Sequence, residues 1–416
     1  MRISGCRKVF VANFARSLAG AALGCLIAFT GAGPASADAG FRKWVNDFYA
    51  TAAKHGISKN TYQKVFAGVD SPDPYVLESA RYQPEFVSDV WDYLDARVTD
   101  STIANGLAMK AKYKRWLDII EARYGVDRDI LLAIWSMESS YGKALERDTA
   151  MHNVARSLAT LAYADRRRAK YARAQLVSAL KIVQKGDVSA DGLVGSWAGA
   201  MGHTQFIPTS YEAWAQDIDG DGRRNIWQSV PDALASSANL LRKNGWQTGN
   251  TWGYEVILPR GFNTGLADKN GHKISDFVKL GVKRPDGRPF PRMSDNAVLK
   301  FPGGKNGPAF LMIRNFYIIK RYNNADKYAL AVGHLADRLK GGGPFVQEWP
   351  RGYTPLSEPE RKEVQIYLLR GGFYDGEIDG NIGSGSREAI RKWQKLNGVK
   401  PDGFPSKALL DKLRGR

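Results

Sequence analysis

The sequence predicts an α+β fold that is predominantly α, and three observations predict it. Apolar residues recur at helical spacing through most of residues 40–250. Between about 252 and 313, Gly, Pro and charged residues punctuate short β-prone runs, which reads as a small β-containing insertion. A Pro- and Gly-rich linker at 341–356 then sets off a compact helical unit at 357–416. At 416 residues the chain is long enough for two or three domains with sizeable cores. Its hydrophobic content of 44% is that of a folded protein rather than a disordered one.

Taken in order, the first 37 residues read as an export signal. Arg2, Arg7, Lys8 and Arg16 form a basic start, residues 18–30 an apolar run, and Ala35-Ser36-Ala37 a small-x-small cleavage site. The expectation is a periplasmic protein. The apolar run continues past Cys25, so a lipid anchor is not expected. Both cysteines, Cys6 and Cys25, leave with the signal, so the mature chain has no disulfide to form. No later stretch approaches the roughly 18–20 apolar residues of a membrane span. The formal net charge of +18 falls to +14 on removal of the signal. Such a surface is drawn to polyanions. These could be nucleic acid, anionic lipid or an acidic cell-wall polymer, and export argues against the first.

Residues 41–56 and 58–69 read as short amphipathic helices, and Pro72 and Pro74 break the chain. A helical stretch at 78–94 contains QPEF (83–86) and WDYL (91–94), and one long helix is expected over 101–124. The run 131–142, LLAIWSMESSYG, follows. Leu131, Ile134 and Trp135 lie seven, four and three residues before Glu138 and share its face. A helix apolar on nearly every side is normally buried, and burial raises a carboxyl pKa toward that of a proton donor at neutral pH. The competing reading is a surface Glu at a fraying helix end. Helices at 154–164 and 171–185 flank Arg166-Arg167-Arg168, either a solvated helix end or a handle for an acidic ligand.

Residues 195–211, GSWAGAMGHTQFIPTSY, join small residues to hydrogen-bonding groups (Ser196, Gln205, Tyr211) and flat apolar faces (Trp197, Phe206). Sugars need that mixture, with fixed partners for hydroxyls and aromatic faces for C–H surfaces. A tight helix-packing turn would explain only the glycines. Residues 217–228, DIDGDGRRNIWQ, match a calcium loop, with Asp217, Asp219, Asp221, the carbonyl of Arg223, and Asn225 at successive ligand positions. Gln228 stands where a bidentate Glu belongs, and Asp232 is positioned to supply the missing charge. The alternative is an Asp/Gly turn that binds nothing. Any calcium here would be structural, and the chemistry requires no cofactor. Strands are expected at 254–258, 297–301 and 309–313, a helix at 315–339, and helices at 358–370 and 386–396, each followed by an Asp-Gly turn, as a weak internal repeat. The histidines have no HExxH-type spacing, and neither a GxSxG elbow nor a phosphate-binding loop occurs.

The ESxYG segment, the 195–211 block, the DxDGDG loop and NFYIIKRYNNADKYALAV (315–332) together resemble the membrane-bound lytic transglycosylase B family of peptidoglycan-cleaving enzymes, over about residues 40–340. LLRGGFYDGEIDGNIG (368–383) resembles the small three-helix peptidoglycan-binding domain often fused to wall enzymes. The resemblance implies a lysozyme-like catalytic core within 38–340. It implies cleavage of the β-1,4 bond between N-acetylmuramic acid and N-acetylglucosamine without added water, by a monomer whose partner is the glycan strand. Glu138 then matches the single catalytic acid, which returns as base to close a 1,6-anhydro ring. Ser196, Gln205, Phe206, Tyr322, Asn323, Tyr328 and, more remotely, Arg167 match its sugar-binding positions. His203-Thr204, Gln228 and Ser386 depart from the family pattern. A hydrolytic muramidase with a second carboxylate and a non-catalytic wall-binding scaffold are the alternatives.

Overall fold

The computed structural model describes residues 34–81, 89–146, 151–268 and 270–415. The basic start and apolar run of the export signal, and the QPEF stretch, lie outside them. Among the described residues no helix is long and apolar enough to cross a membrane.

The body is helical and is built round Arg128–Ser139. Asp127 caps this helix by accepting the Asp129 N–H at 2.8 Å. Leu131, Leu132, Ala133 and Ile134 in its middle are almost wholly inaccessible, so apolar partners cover it on every side. Those partners are Asp326–Leu339, Asp100–Lys112, Lys114–Tyr124 and Val230–Lys243. The helix stops abruptly. Ser140, Tyr141 and Gly142 take φ of 51°, 59° and 93°, three successive left-handed residues, and the first two bear side chains that disfavour that region.

Two expected long helices are each broken. The 101–124 run divides at Tyr113, where φ −103° and ψ 17° end one helix and begin the next. No Gly or Pro marks the place, but the Tyr113 ring meets Trp135 edge-on at 5.7 Å, so tertiary packing holds it. The 315–339 run divides into Arg314–Ile319 and Asp326–Leu339. Asn323 and Asn324 fall in the gap, and asparagine favours such local departures from helix. By contrast, Val154–Ala164 and Glu358–Arg370 begin and end where the sequence places them.

The insertion is a four-stranded antiparallel sheet, ordered Gly253–Val256, Ala309–Met312, Asn296–Lys300, His272–Lys273. Tyr254 pairs with Leu311, and Leu299 pairs with Leu311 from the other side. The central strand 309–312 is buried throughout. Strand alternation sends Phe310 and Met312 into the helical core, and Ala309 and Leu311 into a separate core with Val256, Ile274 and Phe277. The sheet is therefore fastened to the body by its middle strand.

The C-terminal unit has helices Glu358–Arg370, Ser384–Leu396 and Lys407–Leu413 round its own apolar core. Its internal repeat is explicit in hydrogen bonds. Gln365 Nε2 donates to Asp379 Oδ1 (2.9 Å) while Gly380 N–H donates to Gln365 Oε1 (2.8 Å). Gln394 does the same with Asp402 (2.7 Å) and Gly403 (2.8 Å). Each Asp-Gly turn is thus tied to a buried glutamine on the preceding helix.

The segment expected as a linker is held against the body along most of its length. Phe345 stacks on His334 with ring centres 3.9 Å apart, Trp349 stacks on Phe310, Arg351 pairs with Asp95, and the Tyr353 hydroxyl donates to Asp92. Its aromatic and cationic residues, spaced among the prolines, are what fasten it.

Candidate active site

Glu138 lies in the last turn of the Arg128–Ser139 helix, half-buried at the edge of a cavity of about 270 Å³. The Tyr328 hydroxyl donates to Glu138 Oε1 at 2.6 Å. Burial pushes the Glu138 carboxyl up to about 7, against the opposing pull of the Tyr328 hydrogen bond and the nearby Arg97 guanidinium. Burial also raises the Tyr328 hydroxyl, which stays a neutral donor. With Oε1 accepting from Tyr328, Oε2 is the oxygen left to carry a proton outward. Near neutrality the group is then divided between its acid and base forms, so it can both give and take a proton.

Tyr328 is placed by the Asp326–Leu339 helix, which packs along the Glu138 helix. Tyr322, from the break before it, stacks on Tyr328 with ring centres 6.5 Å apart and donates its hydroxyl to the Thr204 carbonyl at 2.6 Å. Phe206 meets Tyr322 at 5.6 Å. Gln205 between them has φ 49°, and its side chain donates to the Gly202 carbonyl at 3.0 Å. The glycines of this block are needed where the chain crowds. A Cβ on Gly202 would stand 2.4 Å from the Ile226 carbonyl oxygen, and one on Gly195 2.3 Å from that of Ala200.

The block is joined to the Glu138 helix by His203. Its Nδ1 accepts the Trp135 indole N–H at 3.1 Å, and its carbonyl accepts the Ser139 hydroxyl at 2.9 Å. Burial lowers the imidazole to about 4, so it is neutral and free to accept. The departure from the family pattern at His203 therefore serves packing behind Glu138.

Sequence reasoning picked out Glu138, Phe206, Tyr322 and Tyr328, and these form one connected cluster. The Ser196 hydroxyl accepts the Ala200 N–H at 3.0 Å within its own loop. Asn323 is exposed in the break. Arg167 is exposed too, in a turn where its backbone N–H donates to Asp165. Nothing in its local sequence sets Arg97 apart. Its guanidinium donates to the Met137 carbonyl at 3.2 Å and lies over Tyr93, beside Glu138. Equally unannounced is the far wall of the cavity. Tyr374, Glu377, Asp379 and Asn381 of the C-terminal unit line it opposite Glu138. Two contacts fasten that wall: Lys143 to Glu377 at 3.0 Å, and the Ser101 hydroxyl to the Asp379 carbonyl at 3.2 Å.

A second cluster lies at the calcium-like loop. Carboxylate oxygens of Asp217, Asp219, Asp221 and Asp232 come within 4.8 Å of one another. Asp232, wholly buried at the head of the Val230–Lys243 helix, accepts N–H groups from Ile218 and Asn225 at 2.8 Å, and burial raises it to about 6. Gln228 is exposed, so Asp232 rather than the twelfth loop residue completes the set. Asn225 turns its side-chain oxygen to the N–H groups of Trp227 and Gln228, and Arg223 N–H is tied to Asp221. Four gathered carboxylates fit a hard, oxygen-seeking cation, which would offset their mutual repulsion.

Residues 40–337 match the model of the transglycosylase SLT domain, and residues 357–413 that of the putative peptidoglycan-binding domain. The chain is 29% identical over 297 residues to the membrane-bound lytic murein transglycosylase B of Escherichia coli K12, covering 69% of this chain and 79% of that one. It resembles the crystal structure of Pseudomonas aeruginosa SltB3 in complex with NAG-anhNAM-pentapeptide (TM-score 0.71, 47% identity, 90% of this chain and 99% of that one). It also resembles the Escherichia coli lytic transglycosylase Slt35 in complex with calcium (TM-score 0.58, 25% identity, 72% and 92%).

Proposed function

Since the chain belongs to the transglycosylase SLT family and is a peptidoglycan lytic transglycosylase, we propose that it cleaves the β-1,4 bond between N-acetylmuramic acid and N-acetylglucosamine and leaves a 1,6-anhydromuramyl end, with Glu138 as the one acid and base. The observation that carries this is the state of Glu138: a half-buried carboxyl near 7, steadied by one neutral phenol. A hydrolase of the usual kind needs a second carboxylate on the opposite side of the sugar. Two acids face this cavity, but Glu377 is paired with Lys143, and Asp379 accepts from Gln365 and from the Asn381 N–H.

In the forward step the proton on Glu138 passes to the glycosidic oxygen and the C1–O bond breaks, releasing the N-acetylglucosamine hydroxyl. The muramyl C6 oxygen bonds to C1 and gives its proton to the Glu138 carboxylate, which regenerates the acid. No water is consumed. Tyr328 positions the carboxyl and holds Oε1 through both transfers, while Arg97 favours the anion formed between them. Phe206, itself buried, packs on Tyr322, which backs the Tyr328 ring. SltB3 has been solved with NAG-anhNAM-pentapeptide, a ligand with the expected product end.

The protein is read as exported to the periplasm, where its basic surface meets a polymer bearing peptide carboxylates. The acidic loop is read as a calcium site held by Asp217, Asp219, Asp221 and Asp232. Calcium would supply structural charge and take no part in bond cleavage. Mass spectrometry of digested peptidoglycan tests the reaction. Anhydro-muropeptides are expected, and hydrated reducing ends alone would establish a muramidase instead.

A further inference from the structure

The insertion and the strap that follows Leu339 enclose a second, larger cleft of about 800 Å³. It is separate from the Glu138 cavity. Asp337, which lines it, is nine residues beyond Tyr328 on the Asp326–Leu339 helix. That spacing is about 14 Å along the axis and two and a half turns, which places the two residues on opposite faces.

Most charges lining the cleft are already matched. Glu255 accepts the N–H groups of Val346 and Gln347 at 2.9 and 2.8 Å. Asp286 pairs with Arg284 and Arg288 at 2.8 and 2.7 Å, and Lys340 pairs with Asp127. Three groups are left over. The Arg292 guanidinium makes no hydrogen bond or ion pair with any described residue, and the Tyr254 hydroxyl has no described partner, although its ring is fixed between Phe290 and Arg284. The Asp337 carboxyl has one donor, the Trp252 indole N–H at 2.9 Å, and burial raises it to about 6. All three line the same cleft, whereas the neighbouring Arg284 and Asp295 are already engaged, by Asp286 and by the Asn250 side chain. Gly341, Gly342 and Gly343 form a side of the cleft with no side chains to obstruct it.

A guanidinium and a phenol beside a carboxyl suit a ligand with a carboxylate and an amine a few bonds apart. We propose that this cleft binds the peptide portion of peptidoglycan through Arg292, Tyr254 and Asp337. Arg292 and Tyr254 hold a peptide carboxylate and Asp337 the amine of a diamino acid. The choice of ligand rests on the wall-cleaving function proposed above. Because the cleft is turned away from Glu138, it takes the peptide of a stem remote from the bond being cut, or of a neighbouring strand.

The test is calorimetric titration of the full-length protein with a free tetrapeptide stem. Its first residue is acetylated, where the lactyl group sits in the polymer, so the diamino acid carries the one amine. Saturable one-to-one binding is expected. Arg292→Glu should weaken it by about tenfold or more, and Tyr254→Phe or acetylation of the side amine should each weaken it by a smaller factor. Arg292 is exposed, Tyr254→Phe keeps the ring that packs on the core of the insertion, and an unchanged melting temperature checks that the variants fold. Absence of saturable binding would overturn the proposal. So would binding indifferent to Arg292→Glu, or displaced by a peptide-free glycan oligomer seated at Glu138. Peptide binding is read without turnover, so a failure to form anhydro products would strike the reaction assigned to Glu138 and not this measurement.

Discussion

At the residue scale, the fate of one proton decides most of what can be tested. Glu138 is raised from an ordinary 4.5 to about 7. The folded state therefore prefers the protonated form, and this stabilising preference is complete below about pH 4.5 and lost as pH rises through about 7. At pH 8 the buried carboxylate costs up to about 3 kcal/mol. Glu138→Gln should accordingly abolish turnover, while a thermal melt at pH 8 shows a higher melting temperature than the parent and one at pH 4 shows little difference. Equal melting behaviour at both pH values would mean the carboxyl is not desolvated. Tyr328→Phe removes the donor to Oε1 and favours the neutral acid further. The alkaline limb of the rate profile should then move to higher pH, with kcat lowered roughly tenfold for the lost positioning. A pH–rate profile on soluble glycan reads both effects.

At the scale of elements, the sequence was legible where one local pattern decides the outcome. The Glu138 helix, the Gly-rich block and the strands of the insertion follow from apolar spacing and turn residues alone. The break at Tyr113 and the fixing of the strap by Phe345, Trp349 and Arg351 depend on partners far away in the chain, and no local pattern reveals such partners. Asp232 is an intermediate case. It was readable as a spare carboxylate four residues past Gln228, but only the geometry of the Val230–Lys243 helix brings it into the set. The element-scale prediction concerns that set. Calcium at a hundredfold excess over its dissociation constant should stabilise the fold by about 2.7 kcal/mol, seen as a rise in melting temperature that a chelator reverses. Asp232→Asn should abolish most of the calcium-dependent rise. A melting temperature indifferent to calcium and chelator would mean that the four carboxylates bind no ion under those conditions.

At the scale of the whole molecule, the C-terminal unit does more than tether the enzyme to its polymer. Its first repeat turns Tyr374, Glu377, Asp379 and Asn381 toward Glu138, and its second sets Phe404 against Tyr353 of the strap at 4.8 Å. The strap in turn is held by Asp95 and Asp92 on the body. The unit is therefore docked at two places, and the Glu138 cavity is a joint product of both domains. The Lys143–Glu377 pair is half-exposed, so on its own it contributes at most about 1 kcal/mol. That is enough to shift KM by up to about fivefold if the docked unit completes the substrate site. Lys143→Glu and Glu377→Lys should each raise KM on a soluble glycan oligomer while leaving kcat near the parent value, and the double exchange should recover most of the loss, because the opposed charges are restored. Steady-state kinetics at low and moderate salt checks this, since the single-variant penalty should shrink as salt screens it. If all three variants matched the parent KM, the unit would serve only as an anchor, and its deletion would weaken binding to intact sacculi without touching the turnover of short strands.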